Sequence, residues 1–523
     1  MKKRPTYRHS SHALSRRDVL RMGSLIGPGL IAFPSLFARA AWAQTTSAFD
    51  YYISPSGSDS NAGTQASPWA ITSLNTKQSV YGGKRVGLLD GTYNVGSMMT
   101  QNRDVPALGL NGGTSSAPTV IGVVNSGAVT ITANNGSYGG TGGNNTCAMM
   151  GHKSTAAQQG YLTIDGLKFT GGSYQVIEIG NYDFSGPIVP GVTIQNCEFT
   201  ANNCASTPLA QGGNCAQISI YRNSGTALRN NYHHDNVGIF GVGSADHFSA
   251  LYQWQSSGTL IEYCTLVNTG NFHGKEGGNQ GTTIRYCYID VTPFSSGQNR
   301  SGIQGFDGAP TAGLTQSSSF HNNVILYSYI ALDLQDELNE GGWTTPLTIY
   351  NNTFVASSSW ATGIDYYEQT SGSRLLRFYN NLYFDNGLSS SGGYGYVLAN
   401  VDAFGLIDYN IYGGHPSWSS VTPGQVNSDG VARYSSLGAW QGSLGGSTGA
   451  DAHSQSAVAT FSNAGQNAAQ YQVTSGIAFG SGRTGGTSSG TAVNIGAWDG
   501  IATQIGASSG TTTIPVAPVL SVS

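Results

Sequence analysis

Short apolar runs separated by turn residues recur along this 523-residue chain, with no helical periodicity. The runs share one pattern: an apolar residue, a variable one, then two positions rich in Asn, Tyr and Cys. It reads Ile194-Gln-Asn-Cys, Leu228-Arg-Asn-Asn, Ile261-Glu-Tyr-Cys, Ile284-Arg-Tyr-Cys, Phe320-His-Asn-Asn, Ile349-Tyr-Asn-Asn, Phe378-Tyr-Asn-Asn and Ile407-Asp-Tyr-Asn. Ile164-Asp-Gly-Leu is a weaker first copy. Successive anchors lie 23 to 36 residues apart (284 − 261 = 23; 320 − 284 = 36). A repeat of about 20–50 residues built from short β-type runs and turns predicts a solenoid, one turn of chain per repeat.

The fourth position of the pattern holds Leu167, Cys197, Asn231, Cys264, Cys287, Asn323, Asn352, Asn381 and Asn410. In a parallel coil these residues stack at about 4.8 Å per rung, and stacked Asn amides hydrogen-bond from coil to coil. Such a ladder fits a tight turn, where Asn tolerates left-handed backbone angles. Cys at three rungs is expected as a small apolar filler. The pattern resembles the right-handed parallel β-helix proteins, many of which are polysaccharide lyases and glycoside hydrolases. The resemblance implies an all-β chain of about 9–12 coils. It covers roughly residues 50–500 and includes an opening, Tyr51 to Trp69 and Gly83 to Val95, that would build the first coils and cover the end. The segments from Ile407 to NIGAWDG at 494–500 resemble closing coils. Fold alone does not assign activity.

Residues 1–43 read as an address. Ser15-Arg16-Arg17-Asp18-Val19-Leu20 matches a twin-arginine signal, followed by a moderately apolar stretch and Ala41-Trp42-Ala43 as an A-x-A cleavage site. Export as a folded protein, to the periplasm or beyond a bacterial cell, is the expectation. The β-helix would occupy 44–507 and a Ser/Thr/Pro-rich tail 508–523. No later segment is long and apolar enough to span a membrane. Charged residues are 10% of the chain and the net charge is −4, so no basic footprint for nucleic acid exists. A monomer is expected. Cys197, Cys264 and Cys287 belong to the ladder. Cys204 and Cys215 flank a loop and could pair after export; Cys147 is left over. Asp59 and Asn61 suggest a loop held by Asx-turns more than a calcium site.

Each repeat carries a second strand 10–17 residues before its anchor, for example Ile218-Ser-Ile-Tyr-Arg, Leu251-Tyr-Gln-Trp, Phe272-His-Gly-Lys-Glu, Ile303-Gln-Gly-Phe-Asp, Leu332-Asp-Leu-Gln-Asp and Ile364-Asp-Tyr-Tyr-Glu. Side chains alternate along a strand. With the leading apolar residues inward, one outward column runs Glu178, Ser219, Tyr252, His273, Gln304, Asp333, Asp365. The next runs Tyr221, Trp254, Lys275, Phe306, Gln335, Tyr367. Just beyond lie Arg222, Glu276, Asp307, Asp336 and Glu368. In a chain poor in charge, this strip gathers acids, bases, a His and aromatics. Exposed rings suit sugar faces and polar groups suit hydroxyls, so a polysaccharide is the expected partner. Tyr221, Tyr252, Trp254, Gln304, Asp333, Asp365 and Tyr367 are the expected contacts.

Lys275 is the sharpest catalytic candidate, with His273 beside it and Arg222 two coils away. β-Helix polysaccharide lyases use Lys or Arg as base, often with calcium or another cation on the uronate; the resemblance implies that role for Lys275, while Arg222 suits a substrate carboxylate. A rival reading pairs Asp333 and Asp365 for glycoside hydrolysis. Asp307, Asp333, Asp336 and Asp365 could equally hold calcium. A third reading is a non-catalytic carbohydrate-binding protein. Arg229, Glu262 and Arg285, each following an anchor, are assigned to a structural charge ladder. His233-His234-Asp235 is assigned to a turn cluster rather than a metal or triad fragment.

Overall fold

The anchors form one face of a three-sided coil. In a computed structural model, residues 48–497 are described with breaks. Residues 1–47 and 498–523 lie outside the description, as do most of the longer connections, among them 134–146, 203–214, 237–247, 274–280, 292–300, 305–316, 336–346, 368–375, 386–395, 414–423 and 462–472. All described residues belong to one unit, Ala38–Ser523.

A single coil shows the plan. Thr193–Gln195 lies in a first, anchor sheet; Glu198–Thr200 in a second; Cys215–Tyr221 in a third; and Ala227–Arg229 returns to the first. The three sheets hold 12, 12 and 10 strands, stacked parallel in chain order. The twelve anchor strands agree with the expected coil number. Anchor pairs with anchor throughout: Ile194 with Leu228, Ile261 with Ile284, Phe320 with Ile349, Ile349 with Phe378. These anchors are buried and fill the interior with Phe169, Phe199, Leu266 and Ile289 from the second sheet and Ile218, Leu251 and Ile303 from the third.

The fourth-position ladder is present. Asn323 Nδ2 donates to Asn352 Oδ1 (3.0 Å), Asn352 to Asn381 (3.1 Å) and Asn381 to Asn410 (3.3 Å). The same amides donate to main-chain carbonyls of Ile284, Phe320 and Ile349. All four Asn are buried, so each bond satisfies a group that would cost about 1–3 kcal/mol if orphaned. Cys197, Cys264 and Cys287 are free, buried members of the column; the main-chain N–H of Cys197 and Cys287 donates to Asn231 and Asn323.

The left-handed residue is not the ladder residue but the one before it. Asn196, Asn230, Tyr263, Tyr286, Asn322, Asn351, Asn380 and Tyr409 all have φ between 52 and 57°. This single residue turns the chain from the first sheet into the second, and the amide next to it then points inward. Tyr accepts that conformation here because the same turn repeats on every rung, and Tyr263 stacks on Tyr286 (5.1 Å).

Two other expectations change at the ends. The C-terminal 495–497 does not form a further rung: Ala497 docks on the side of the solenoid, donating to Thr353 Oγ1 and accepting from Asn322 Nδ2. At the start, Tyr51–Ile53 forms the first anchor strand and two short helices, Ser73–Thr76 and Gln78–Tyr81, follow it. Asp59 accepts from Thr72 and Ser73 hydroxyls, while Asn61 donates to the Pro68 carbonyl and accepts from Trp69 through its own. The loop bonds are long-range rather than Asx-turns. Cys147 is buried and free; Cys204 and the Cys215 side chain lie outside the described residues. Among the described residues no helix is long and apolar enough to cross a membrane.

Candidate functional site

The third sheet carries the strip singled out by sequence. Its register joins Glu178 to Ser219 and Ser219 to Tyr252. It joins Gln304 to Asp333 and Asp333 to Asp365. Tyr221 pairs with Trp254, and Gln335 with Tyr367. These lines match the expected columns.

His273 does not. It pairs with Leu251 on one side and Ile303 on the other, both buried in the core. Three coils of this sheet carry two adjacent core residues near the start of the strand, which a strict alternation miscounts. Val176 and Ile177, Ala250 and Leu251, Ala331 and Leu332 are all core residues. By backbone register Phe272 and His273 align with Ala250 and Leu251, their side chains lying outside the described residues. The strand ends at His273; Lys275 and Glu276 lie outside the described residues, as do Phe306, Asp307, Asp336 and Glu368. Gln304, Asp333, Asp365 and Tyr367 are placed by backbone register, their side chains lying outside the described residues.

The aromatic platform is also corrected. Tyr221 is fully buried and Tyr252 is 4% exposed; only Trp254 is half-buried. Tyr221 packs against Ala216 and Tyr252, its hydroxyl accepting from Gln175 Nε2 at 3.1 Å. Tyr252 in turn stacks with Trp254 (6.5 Å between centroids). Glu178, in the same line, is buried and ion-paired with Lys153. This part of the strip is therefore a closed polar–aromatic layer, with Trp254 at its edge. One coil, that of Asn271–His273, separates this layer from the coils that carry Gln304, Asp333 and Asp365. Arg222 has φ 51° at the end of its strand and donates to the Gly186 carbonyl at 2.9 Å. A guanidinium carries five N–H donors, enough for that carbonyl and a substrate carboxylate together.

The charge ladder is as assigned. Arg229 Nε donates to Glu262 Oε1 and Arg285 NH2 to Oε2, both at 2.7 Å. Burial would raise the Glu262 carboxyl, but the bonds from Arg285 and Arg229 outweigh it and hold it low.

His233-His234-Asp235 lies on the strand Tyr232–Asn236, with His233 buried, His234 facing outward and Asp235 exposed at φ 50°, where the alternation breaks. His233 stacks on Phe199 at 4.6 Å in the core and bonds Gln217 Oε1, whose Nε2 donates to Thr269. Burial, then the charge of His234, lowers His233 to about 3, so it is neutral. His234 faces outward between Asp235 (2.9 Å) and Glu198 (3.3 Å), and Lys168 pairs with Glu198 at 2.7 Å. Burial would lower His234, but the bonds to Asp235 and Glu198 raise it on balance. The signal for this network was the two-residue alternation of a strand, which places neighbouring histidines on opposite faces. Among the described residues no group of three or more His, Cys, Asp or Glu is arranged to hold a metal.

Comparison with solved structures matches this architecture. Pectate lyase Pel9A is similar over 86% of this chain and 96% of that one, with a TM-score of 0.52 and 14% identity. The fold is a right-handed parallel β-helix. A rhamnogalacturonan lyase (TM-score 0.40, 14% identity, 66% of this chain and 84% of that one) and an alginate lyase from Paenibacillus sp. str. FPU-7 (TM-score 0.40, 13% identity, 62% and 95%) are also similar. No family model matches the chain, and no curated protein sequence matches it. Identity this low carries the β-helix fold and no residue roles.

Proposed function

We propose that this β-helix is an exported polysaccharide lyase that cleaves a uronate-containing polymer by β-elimination. The observation that carries the reading is the line of Gln304, Asp333 and Asp365 on consecutive coils of the third sheet. It alternates with core residues Ile303 and Leu332. Polar groups repeating at about 4.8 Å suit an extended polymer lying along the sheet.

The chemistry follows from the acidity of the substrate. The C5 proton of a uronate becomes removable once its carboxylate is neutralised. Arg222, or a cation held by Asp333 and Asp365, would do this. Lys275, the proposed base, takes the C5 proton; that electron pair forms the C4–C5 double bond; the C4–O bond breaks with its electron pair going to the departing oxygen, which takes a proton from solvent water. Lysine acts this way only with a lowered pKa, supplied by desolvation or a nearby cation. His273 is left out of this set because of its register with Leu251 and Ile303.

One observation favours a second reading. Asp333 and Asp365 are direct register partners, about 4.8 Å apart along the backbone, near the carboxylate separation of about 5–5.5 Å used by retaining glycoside hydrolases. Incubating the exported form with acidic and neutral polysaccharides, while following unsaturated-uronate absorbance and reducing ends, decides between them. Unsaturated product supports the lyase. Reducing ends alone overturn it in favour of the hydrolase, and binding without either leaves a carbohydrate-binding protein.

A further inference from the structure

A solenoid couples each coil only to its neighbours, so its terminal coils fray one by one. Here a later segment crosses several coils at once. Asn380 Nδ2 donates to the Arg483 carbonyl (2.6 Å), and the Arg483 N–H returns a bond to Asn380 Oδ1 (3.0 Å). The Gly496 N–H donates to the Asn380 carbonyl (2.9 Å). The Ala497 N–H reaches Thr353 Oγ1, and the Ala497 carbonyl accepts from Asn322 Nδ2, each at 2.9 Å. The Arg483 guanidinium lies over the Tyr409 ring at 6.0 Å. Ala497 also closes an apolar cluster on the outside of the second sheet, with Tyr288, Val324 and Val355. That outer face would otherwise place valines in water.

We propose that Arg483 and the Gly496-Ala497 segment form a clasp that joins the coils from Tyr288 to Tyr409 into one unfolding unit. The clasp reads the left-handed turn position. Asn322 and Asn380 hold φ near 55°, which turns their amides away from the inward ladder and toward the segment. The tight approach is made by Gly496, at φ +100°, where a Cβ would lie 2.9 Å from Thr353 Oγ1 and 3.2 Å from Leu382 Cβ. Sequence separations of 103 and 175 residues make these bonds non-local, unlike the coil-to-coil ladder.

Hydrogen exchange of the full chain tests this. G496V drives the clasp off Thr353 and Leu382; N380G and N322G remove its side-chain partners without straining a left-handed residue. Exchange should quicken on the order of tenfold, to a similar degree, in Ser318–His321, Leu347–Tyr350, Leu376–Tyr379 and Phe404–Asp408, with Leu162–Asp165 and Thr193–Gln195 unchanged. Faster exchange confined to 482–497, confined to the last strand, or absent in all three variants overturns the clasp.

Discussion

Leu251 and His273 stand side by side in the third sheet, and Ile303 follows on the next coil. His273 therefore shares the backbone register of core aliphatics, and its strand ends there, before Lys275. His273→Leu is therefore expected to keep both activity and fold. Lys275→Ala should lower depolymerisation by about 10²–10⁴-fold while shifting stability by only about 0.5 kcal/mol. Turnover assays and melting curves on both variants check this. A dead but folded His273→Leu would restore the histidine to the chemistry.

The Asn ladder predicts unequal rungs. Asn352 Oδ1 accepts from both the N–H and Nδ2 of Asn323, and its own Nδ2 bonds Phe320, Tyr350 and Asn381. Asn352→Leu orphans several buried groups at about 1–3 kcal/mol each. Cys264→Ala removes one small apolar filler and should cost no more than about 1.5 kcal/mol. Denaturant titration of the two variants should show the asparagine loss as clearly the larger; equal losses would mean the amides do not couple the coils.

Neighbouring histidines should give opposite pH limbs. His233 is held at about 3 in the fold against 6.5 unfolded, so below 6.5 the unfolded chain binds the extra proton and stability falls as pH drops. His234 is raised, so its contribution is complete below 6.5 and is lost as pH rises through its folded value. Asp235, held low by its bond to His234, adds stability that disappears only as pH falls through its folded value. Melting temperature followed from about pH 4 to 9 should show a shallower acid slope for His233→Phe and a shallower alkaline slope for His234→Ala. Slopes unchanged from the parent would contradict the assignment.

Twin-arginine export, expected from Arg16 and Arg17, makes a direct test. Replacing Arg16 and Arg17 by Lys should hold the precursor in the cytoplasm, because the receptor reads the arginine pair. Immunoblots of cell fractions report the outcome; secretion at the parent level would point to another route.

The repeat was legible in the chain because one buried ladder and one apolar anchor must recur on every rung. Asn323, Asn352, Asn381 and Asn410 therefore announced their column, and Arg229, Glu262 and Arg285 their charge ladder, before any coordinates. The lines through Asp333 and Asp365 followed from two-residue alternation alone. What the tertiary structure decided was where alternation breaks. The backbone register put His273 level with Leu251 and Ile303 rather than with Tyr252, a shift invisible in Phe272-His273 because strand periodicity assumes a straight strand. Burial of Tyr221 and Tyr252 likewise depends on what lies across the sheet, namely Gln175 from the preceding coil, 46 residues away from Tyr221. Local pattern sets which residues share a rung; contacts between distant segments, such as Ala497 on Thr353, decide which faces of the coils stay exposed.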